Sequence, residues 1–290
     1  MVRRTELFCS TCVQLISFEV NLHPQIALFT SFGVPSFFLV TSLCACLALL
    51  WSKRRAHLRN LDEGQTLDIT FLIMVGVFTG ARLFHIFFEE PLYYRNFPYK
   101  AFFFWDGGFV FYGGLFGGLL AGVVSARRLN PRQWIQHFDH FAPIASLMVI
   151  LGRLGCFLNG CCYGAVCDLP WAMVLPDDQG RWLPRHPTQL YMSFGELFLL
   201  ILLLKIEKRH LTRTPSSSNT AVQSAHAKLW PFLFPIWLLG HSTIRFIVEF
   251  FRADDRGPAW LFSQGGWWSL ILLIGSIGWL RHRHKRLWGQ

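Results

Sequence analysis

The chain has 290 residues, is 52% hydrophobic and 16% aromatic, has a mean hydropathy of +0.35 and carries a formal net charge of +10. That composition excludes an ordinary soluble domain and points to lipid as the solvent. The positive charge does not require nucleic acid, because basic anchors beside anionic lipid account for it.

Residues 1–25 read as an external N-terminal arm that holds a CxxC at Cys9 and Cys12. The runs 26–52, 107–126 and 257–280 contain no charge, and each is long enough for a helix of about 20 residues to cross hydrocarbon. Four more runs, 67–88, 138–158, 188–204 and 229–251, are as apolar apart from one to three polar interruptions. The chain is therefore read as all-α, a polytopic transmembrane bundle over 26–280. Its seven spans are 26–51, 67–88, 107–126, 138–158, 188–204, 229–251 and 257–280, and a basic tail follows at 281–290. A helix satisfies its own backbone in lipid, and no alternating ten-residue segments suggest a barrel. The first run is too long for the apolar part of a cleaved signal peptide, so it is kept as a span. Residues 213–226, containing PSSSNTAVQSAH, read as a flexible linker. No internal repeat emerges.

Lys and Arg placement sets the orientation. Segments 53–59, 127–132, 205–228 and 281–290 hold 4, 3, 5 and 4 of them, whereas 1–25, 89–106, 159–187 and 252–256 hold 2 each. The richer side is cytoplasmic, which puts the N-terminus outside and the C-terminus inside.

That topology gives each polar residue within a span a depth. Arg82 and His85 lie near the outer end of span two, Tyr112 in the outer third of span three, and Arg153 at the outer end of span four. RHPTQLY opens span five, which carries Glu196. Span six carries His241, Arg245, Glu249 and Arg252 at i, i+4, i+8 and i+11, a single stripe on a helix. A charge at mid-bilayer costs about 2.5–3.5 kcal/mol, so the stripe must face protein or water, and its arginines invite an anion. Arg153 sits in GRLGCFLNGCCYG, whose glycines and Asn159 permit the close backbone approach an anion pocket requires. Other readings stay open: Arg82, Arg252 and Arg256 can snorkel to headgroups, and these glycines, like YGGLFGGLLAG in span three, can serve helix packing. His186, beside Pro187, reads as a loop residue that orients span five.

Of eight cysteines, Cys44 and Cys46 lie in span one as packing residues. Cys156, Cys161, Cys162 and Cys167 cluster at the outer end of span four, where disulfides persist, and one disulfide is expected there. C-x4-CC-x4-C is not a paired-ligand spacing, so no metal is expected. No cofactor is expected either.

These residues resemble the prolipoprotein diacylglyceryl transferase family. GRLGCFLNGCCYG at 152–164 is similar to its signature of Gly-Arg, a Gly, Asn-Phe, Asn, Glu and a closing Gly. GARLFHIFF around Arg82, DGGFVFYGGLFGG around Tyr112, RHPTQLY at 185–191 with Glu196 behind it, and RFIVEFFRADDRG from Arg245 follow in the family's order over roughly 26–280. Seven spans with the N-terminus outside is also the family's topology. The chain departs from the best-known members at Phe32, where Tyr-Gly is common, at Tyr112, where some have His, and at Cys156 and Cys161, which replace the signature Asn and Glu.

The resemblance implies transfer of a diacylglyceryl group from phosphatidylglycerol to the lipobox cysteine thiol of a prolipoprotein, in the bacterial cytoplasmic (inner) membrane, by a monomer. Arg153, Arg245, Tyr112, Glu249 and His241 are the implied catalytic residues, and Arg153, Asn159, Arg82, Arg252, Gln189 and Glu196 the implied substrate-binding ones. The identity of the general base stays open. Without the resemblance, the same arginines and glycine-interrupted helices describe a transporter for an anionic solute, against which the missing repeat counts. A thiol redox membrane protein, and a diverged paralogue with another lipid or acceptor, also stay open.

Overall fold

Each of the seven apolar runs contains a helix in the computed structural model, which describes residues 18–19, 25–29, 32–104, 108–126, 131–177, 179–213, 233–253 and 263–288. In chain order the elements are β1 (Phe18–Glu19), β2 (Gln25–Phe29), β3 (Phe32–Pro35), α1 (Ser36–Leu58) and α2 (Glu63–Phe84), which runs on through a π-helical turn at His85–Glu89. Then come α3 (Pro91–Asn96), a 3₁₀ turn (Pro98–Phe102), α4 (Phe111–Ala126), α5 (Pro131–Leu158), β4 (Met173–Pro176), β5 (Trp182–Arg185), α6 (Thr188–Arg213), α7 (Leu233–Glu249) and α8 (Gln264–Trp288). Among the described residues, Glu63–Glu89, Gln136–Leu158 and Thr188–Arg209 are long and apolar enough to cross a bilayer, and Phe111–Ser125 is a shorter apolar helix.

The first helix corrects the span expected at 26–51, because it starts at Ser36. Before it, β2 and β3 form an antiparallel hairpin pairing Gln25 with Pro35 and Ile26 with Val34. Pro35 has no N–H to donate and pushes Val34 out of the helical region, so a helix can begin no earlier than Pro35. At the other end, helix continues through 281–288, where a basic tail was expected. The 213–226 linker and Arg256 lie outside the described residues, apart from Arg213 at the end of α6.

Exposure follows the pattern of a lipid-facing bundle. Phe194, Phe198, Ile247 and Phe250 are exposed, Phe198 by 72%, while Ser52, Thr66, His140, Ser146 and Glu196 are fully buried. Apolar outside and polar inside is the pattern lipid selects, since lipid covers hydrocarbon at no cost and leaves polar groups unsatisfied. Between α5, α6 and α7 a smaller apolar core joins Ala142, Leu199, Leu203, Leu233, Phe234 and Trp237, held by close fit.

Helices α2 and α4 pack backbone to backbone. A Cβ on Gly76 would lie 2.5 Å from the Gly117 carbonyl oxygen, and one on Gly117 would strike the Gly76 carbonyl. The small residues of YGGLFGG are thus a packing face.

One end of the bundle is tied by a buried polar cluster. Both terminal nitrogens of Arg55 donate to the Glu207 carboxylate at 2.8 Å, and Arg59 Nε lies 3.4 Å from it. Arg55 Nε also donates to the His140 carbonyl, Ser52 joins His140 and Thr70, and Asp139 accepts from the Phe234 N–H at 3.0 Å near the start of α7. In one knot α1, α2, α5, α6 and α7 are joined. Arg55 and Arg59 count as topogenic charges in the sequence, yet both are buried. Removing one partner of such a pair costs about 3–5 kcal/mol. Glu207→Ala is therefore expected to lower the thermal unfolding temperature in detergent far more than Lys53→Ala at an exposed pair, and equal temperatures would contradict the knot's role.

Candidate active site

The opposite end of the bundle gathers the C-terminus of α5, the N-terminus of α6 and the C-terminus of α7. Helix α5 stops at GCFLNG because Gly160 adopts a φ of 72°. Its N–H bonds the Phe157 carbonyl and the Cys161 N–H bonds the Cys156 carbonyl, both at 3.1 Å. This Schellman closure needs a left-handed residue, which glycine supplies at least cost. Cys162 then takes a φ of 65° and turns the chain back. Helix α6 fixes that turn: Thr188 Oγ1 donates to the Cys162 carbonyl at 2.6 Å, and Gln189 Nε2 to the Cys161 carbonyl at 2.7 Å.

Gly164 threads between the neighbouring segments, where a Cβ would lie 2.5 Å from the His186 carbonyl oxygen and 2.8 Å from that of Phe251. Its N–H donates to His186, the Ala165 N–H donates to Phe251, and a backbone bridge joins Gly164 to Arg252. The loop that carries Cys162 is thereby stitched to the segment that carries Arg252. Arg185 braces it from the β4–β5 hairpin, paired with Asp177 at 3.0 Å and stacked over Tyr163. His186 Nδ1 lies 3.1 Å from Tyr191 OH at the start of α6, in keeping with an orienting role.

Arg153, Arg245 and Arg252 line one small pocket together with Cys162, Thr188, Gln189, Met192 and Val248. Three guanidinium groups and no carboxylate among the lining residues make it complementary to an anion. Arg245 is braced from behind by Glu249, which also accepts from Ser263 at the start of α8. Tyr112 OH donates to the Gly265 carbonyl at 2.9 Å, within electrostatic reach of Arg245, Glu249 and Arg153. One turn below, His241 Nδ1 lies 2.6 Å from Glu196 Oε1, and the other oxygen of Glu196 accepts from Ser146 at 2.6 Å. Of the stripe His241, Arg245, Glu249 and Arg252, the first three lie on α7, with His241 and Arg245 buried and Arg245 paired with Glu249, whereas Arg252 lies beyond the end of the helix.

Not every candidate reaches the pocket. His241 and Glu196 are buried beneath it and bonded to each other. Asn159, exposed just past the end of α5, is not among the lining residues. Arg82 stands apart, donating to the carbonyls of Lys100, Ala101, Phe103 and Gly108 at 2.9–3.4 Å, so it organises the segment before α4. The sequence places Cys162 in a cysteine cluster but not in an anion pocket, and assigns no site role to Thr188 or Ser263. RHPTQLY was the available signal for Thr188; Ser263 had none.

The expected disulfide is absent: Cys156, Cys161, Cys162 and Cys167 are all free thiols. The first three sulfurs lie within 4.8 Å of one another, while a disulfide requires about 2.05 Å. Cys162 is held well below the usual thiol range because the Cys156 and Cys161 thiols hydrogen-bond to it, with Arg252 and Arg153 adding to the effect against the burial. Cys9 and Cys12 lie outside the described residues.

Residues 24–281 match the family model for prolipoprotein diacylglyceryl transferase. The chain belongs to that family. It is 36% identical over 215 residues to a phosphatidylglycerol–prolipoprotein diacylglyceryl transferase of Paracidovorax citrulli, covering 72% of this chain and 73% of the relative. A protein of the same name from Cupriavidus pinatubonensis is 35% identical over 234 residues, 79% of this chain and 76% of the relative. Another from Geobacter sulfurreducens is 36% identical over 229 residues, 76% and 79% respectively. The family match contains every pocket residue, so this member's arginine pocket lies inside the shared region.

Asp177, in the hairpin that braces the loop, is held below the usual carboxylate range, first by the Arg181 N–H it accepts. A folded value below the unfolded one means that its contribution is present above about pH 3.9 and is lost as pH falls from there through the folded value. Amide exchange over 173–185 is expected to accelerate across that acid window in the wild type and to lose the pH step in Asp177→Asn. An identical step in the variant would contradict the assignment.

Proposed function

We infer that this chain transfers the diacylglyceryl group of phosphatidylglycerol to the thiol of a prolipoprotein lipobox cysteine, the first step of bacterial lipoprotein maturation, and releases glycerol phosphate. Family membership and the relatives' names support the reading. The observation that carries it is the convergence of Arg153, Arg245 and Arg252 on one pocket.

The reaction breaks the bond between a glycerol carbon and a phosphate oxygen and forms a carbon–sulfur bond. The electron pair departs on the phosphate. Guanidinium groups grip phosphate oxygens in pairs and keep their charge throughout. Charge on the phosphate grows as the bond breaks, so contacts from Arg153 and Arg245 strengthen in the transition state. The nucleophile is the acceptor's thiolate, and a free thiol near neutral pH is mostly protonated, with a pKa of about 8.5. The arginine field favours the thiolate. Glu249 and Tyr112 keep Arg245 and the α8 end in place, and Gln189 fixes the Cys161 carbonyl at the pocket's edge. His241 and Glu196 lock α7 to α6 beneath the reacting groups. Arg82 acts at a distance, through the loop it organises.

In this reading seven spans lie in the bacterial cytoplasmic (inner) membrane, with the N-terminus outside and the C-terminus cytoplasmic, as the distribution of Lys and Arg supports. The pocket then opens towards the outer leaflet, where phosphatidylglycerol and a secreted preprotein meet. The chain is read as acting as a monomer.

The test is reconstitution in phosphatidylglycerol vesicles with a lipobox peptide. Arg153→Ala is expected to cut kcat/KM by at least about 10²-fold, as removal of a transition-state donor does, with the unfolding temperature unchanged. Arg245→Lys is expected to be severely impaired as well, because a point charge cannot replace a planar fork. Wild-type rates from both variants, or no thioether product from the wild type, would overturn the reading.

A further inference from the structure

We propose that Cys156, Cys161 and Cys162 form a three-sulfur site for one thiophilic d10 cation of the zinc class, with its fourth position open to the acceptor thiol. The proposal rests on the lipid-transfer reading for the identity of that thiol and on the geometry alone for the metal.

In sequence the spacing looks wrong for a metal, because C-x4-CC lacks the usual paired ligands. The fold supplies what the spacing hides. Cys156 stands in the last turn of α5, Gly160 reverses the chain through a left-handed conformation, and Cys162 adopts a second one. A left-handed conformation is costly for a residue with a Cβ and persists where its surroundings hold it. Here Thr188 and Gln189 clamp the carbonyls of Cys162 and Cys161. The result is three sulfurs within 4.8 Å of one another. Zinc–sulfur bonds of about 2.3 Å set the edge of a tetrahedral site at roughly 3.8 Å, so the cluster needs to contract by no more than about 1 Å. The three cysteines are part-buried free thiols.

Two further features suit a cation there. Three thiolates around a divalent ion leave a net negative charge, and Arg153 and Arg252 line the same pocket as Cys162 to offset it. Three sulfur ligands take three corners of a tetrahedral site, and an outside ligand at the fourth gives the arrangement of a catalytic rather than a structural zinc. The acceptor cysteine fits that position. On coordination its thiol proton is released to solvent, and the bound thiolate is the nucleophile. Its sulfur then forms the bond to the glycerol carbon while the carbon–oxygen bond breaks and the phosphate leaves with the electron pair. The two cysteines that depart from the family signature, Cys156 and Cys161, would then bring a thiolate-activating ion into a site that otherwise relies on arginines.

The experiment uses the full chain, reduced and metal-free in detergent, titrated with Co²⁺ and Cd²⁺ as probes. The expected result is one ion per chain with sulfur-to-metal charge-transfer absorption, retained in Cys167→Ser and lost in the Cys156→Ser/Cys161→Ser double variant. Zn²⁺ is expected to raise the unfolding temperature of the wild type and not that of the double variant, whose metal-free unfolding transition shows that it folds. A lipobox peptide added to the Co²⁺ form is expected to change the absorption as a fourth sulfur binds, and a peptide with Ser in place of the lipobox Cys is not. Absence of charge transfer in the wild type, or its survival in the double variant, overturns the metal site. A bound ion whose spectrum ignores the peptide overturns the acceptor role. Full lipid transfer by the metal-free enzyme defeats this proposal while leaving the transferase reading intact; no transfer in either form defeats the transferase reading, and the metal titration still decides the site.

Discussion

A guanidinium group keeps its charge at any relevant pH, so a bundle in lipid that carries arginine inside must give each one acceptors, a counter-charge or a ligand. This chain uses all three answers. Arg55 and Arg59 are met by the Glu207 carboxylate, and Arg82 by four backbone carbonyls. Arg153, Arg245 and Arg252 are brought to a pocket whose lining contains no acid, with Glu249 set behind Arg245. The first two groups consolidate the fold. The third lines the pocket proposed for an anionic headgroup.

The backbone reaches that arrangement through residues chosen for what they lack. Gly160 has no Cβ to resist the left-handed turn that ends α5, and Gly164 has none to strike His186 or Phe251. Gly76 and Gly117 let α2 and α4 touch along their backbones, which leaves Tyr112 at the start of α4 within reach of Arg245. At the far end of the bundle the Arg55–Glu207 knot joins α5, α6 and α7, so α6 and α7 are held at both ends and the pocket between them keeps its shape.

Much of this was legible in the sequence because uncharged length and fourfold spacing carry physical information directly. Every apolar run contains a helix, and three members of the four-residue stripe, His241, Arg245 and Glu249, lie on α7, which ends before Arg252. Errors arose where a one-dimensional rule omits direction or tertiary contact. Hydrophobicity runs on to Ile26, whereas the first helix begins at Ser36, just after Pro35. Depth placed Arg82 near the outer end, yet its side chain turns to the segment before α4 rather than to the pocket. Arg55 and Arg59 looked like solvated anchors, for nothing in their own neighbourhood announces Glu207 far along the chain. The cysteines were read as a disulfide for the same reason: their spacing says nothing of the turn at Gly160 that gathers three sulfurs.

The account stands or falls on a phospholipid headgroup meeting those cations. A structure of the chain in nanodiscs containing phosphatidylglycerol measures this most directly. The expected result is a lipid phosphate in hydrogen-bond contact with both Arg153 and Arg245. A phosphate held elsewhere, with the three guanidinium groups turned to solvent or to protein carboxylates, would contradict it.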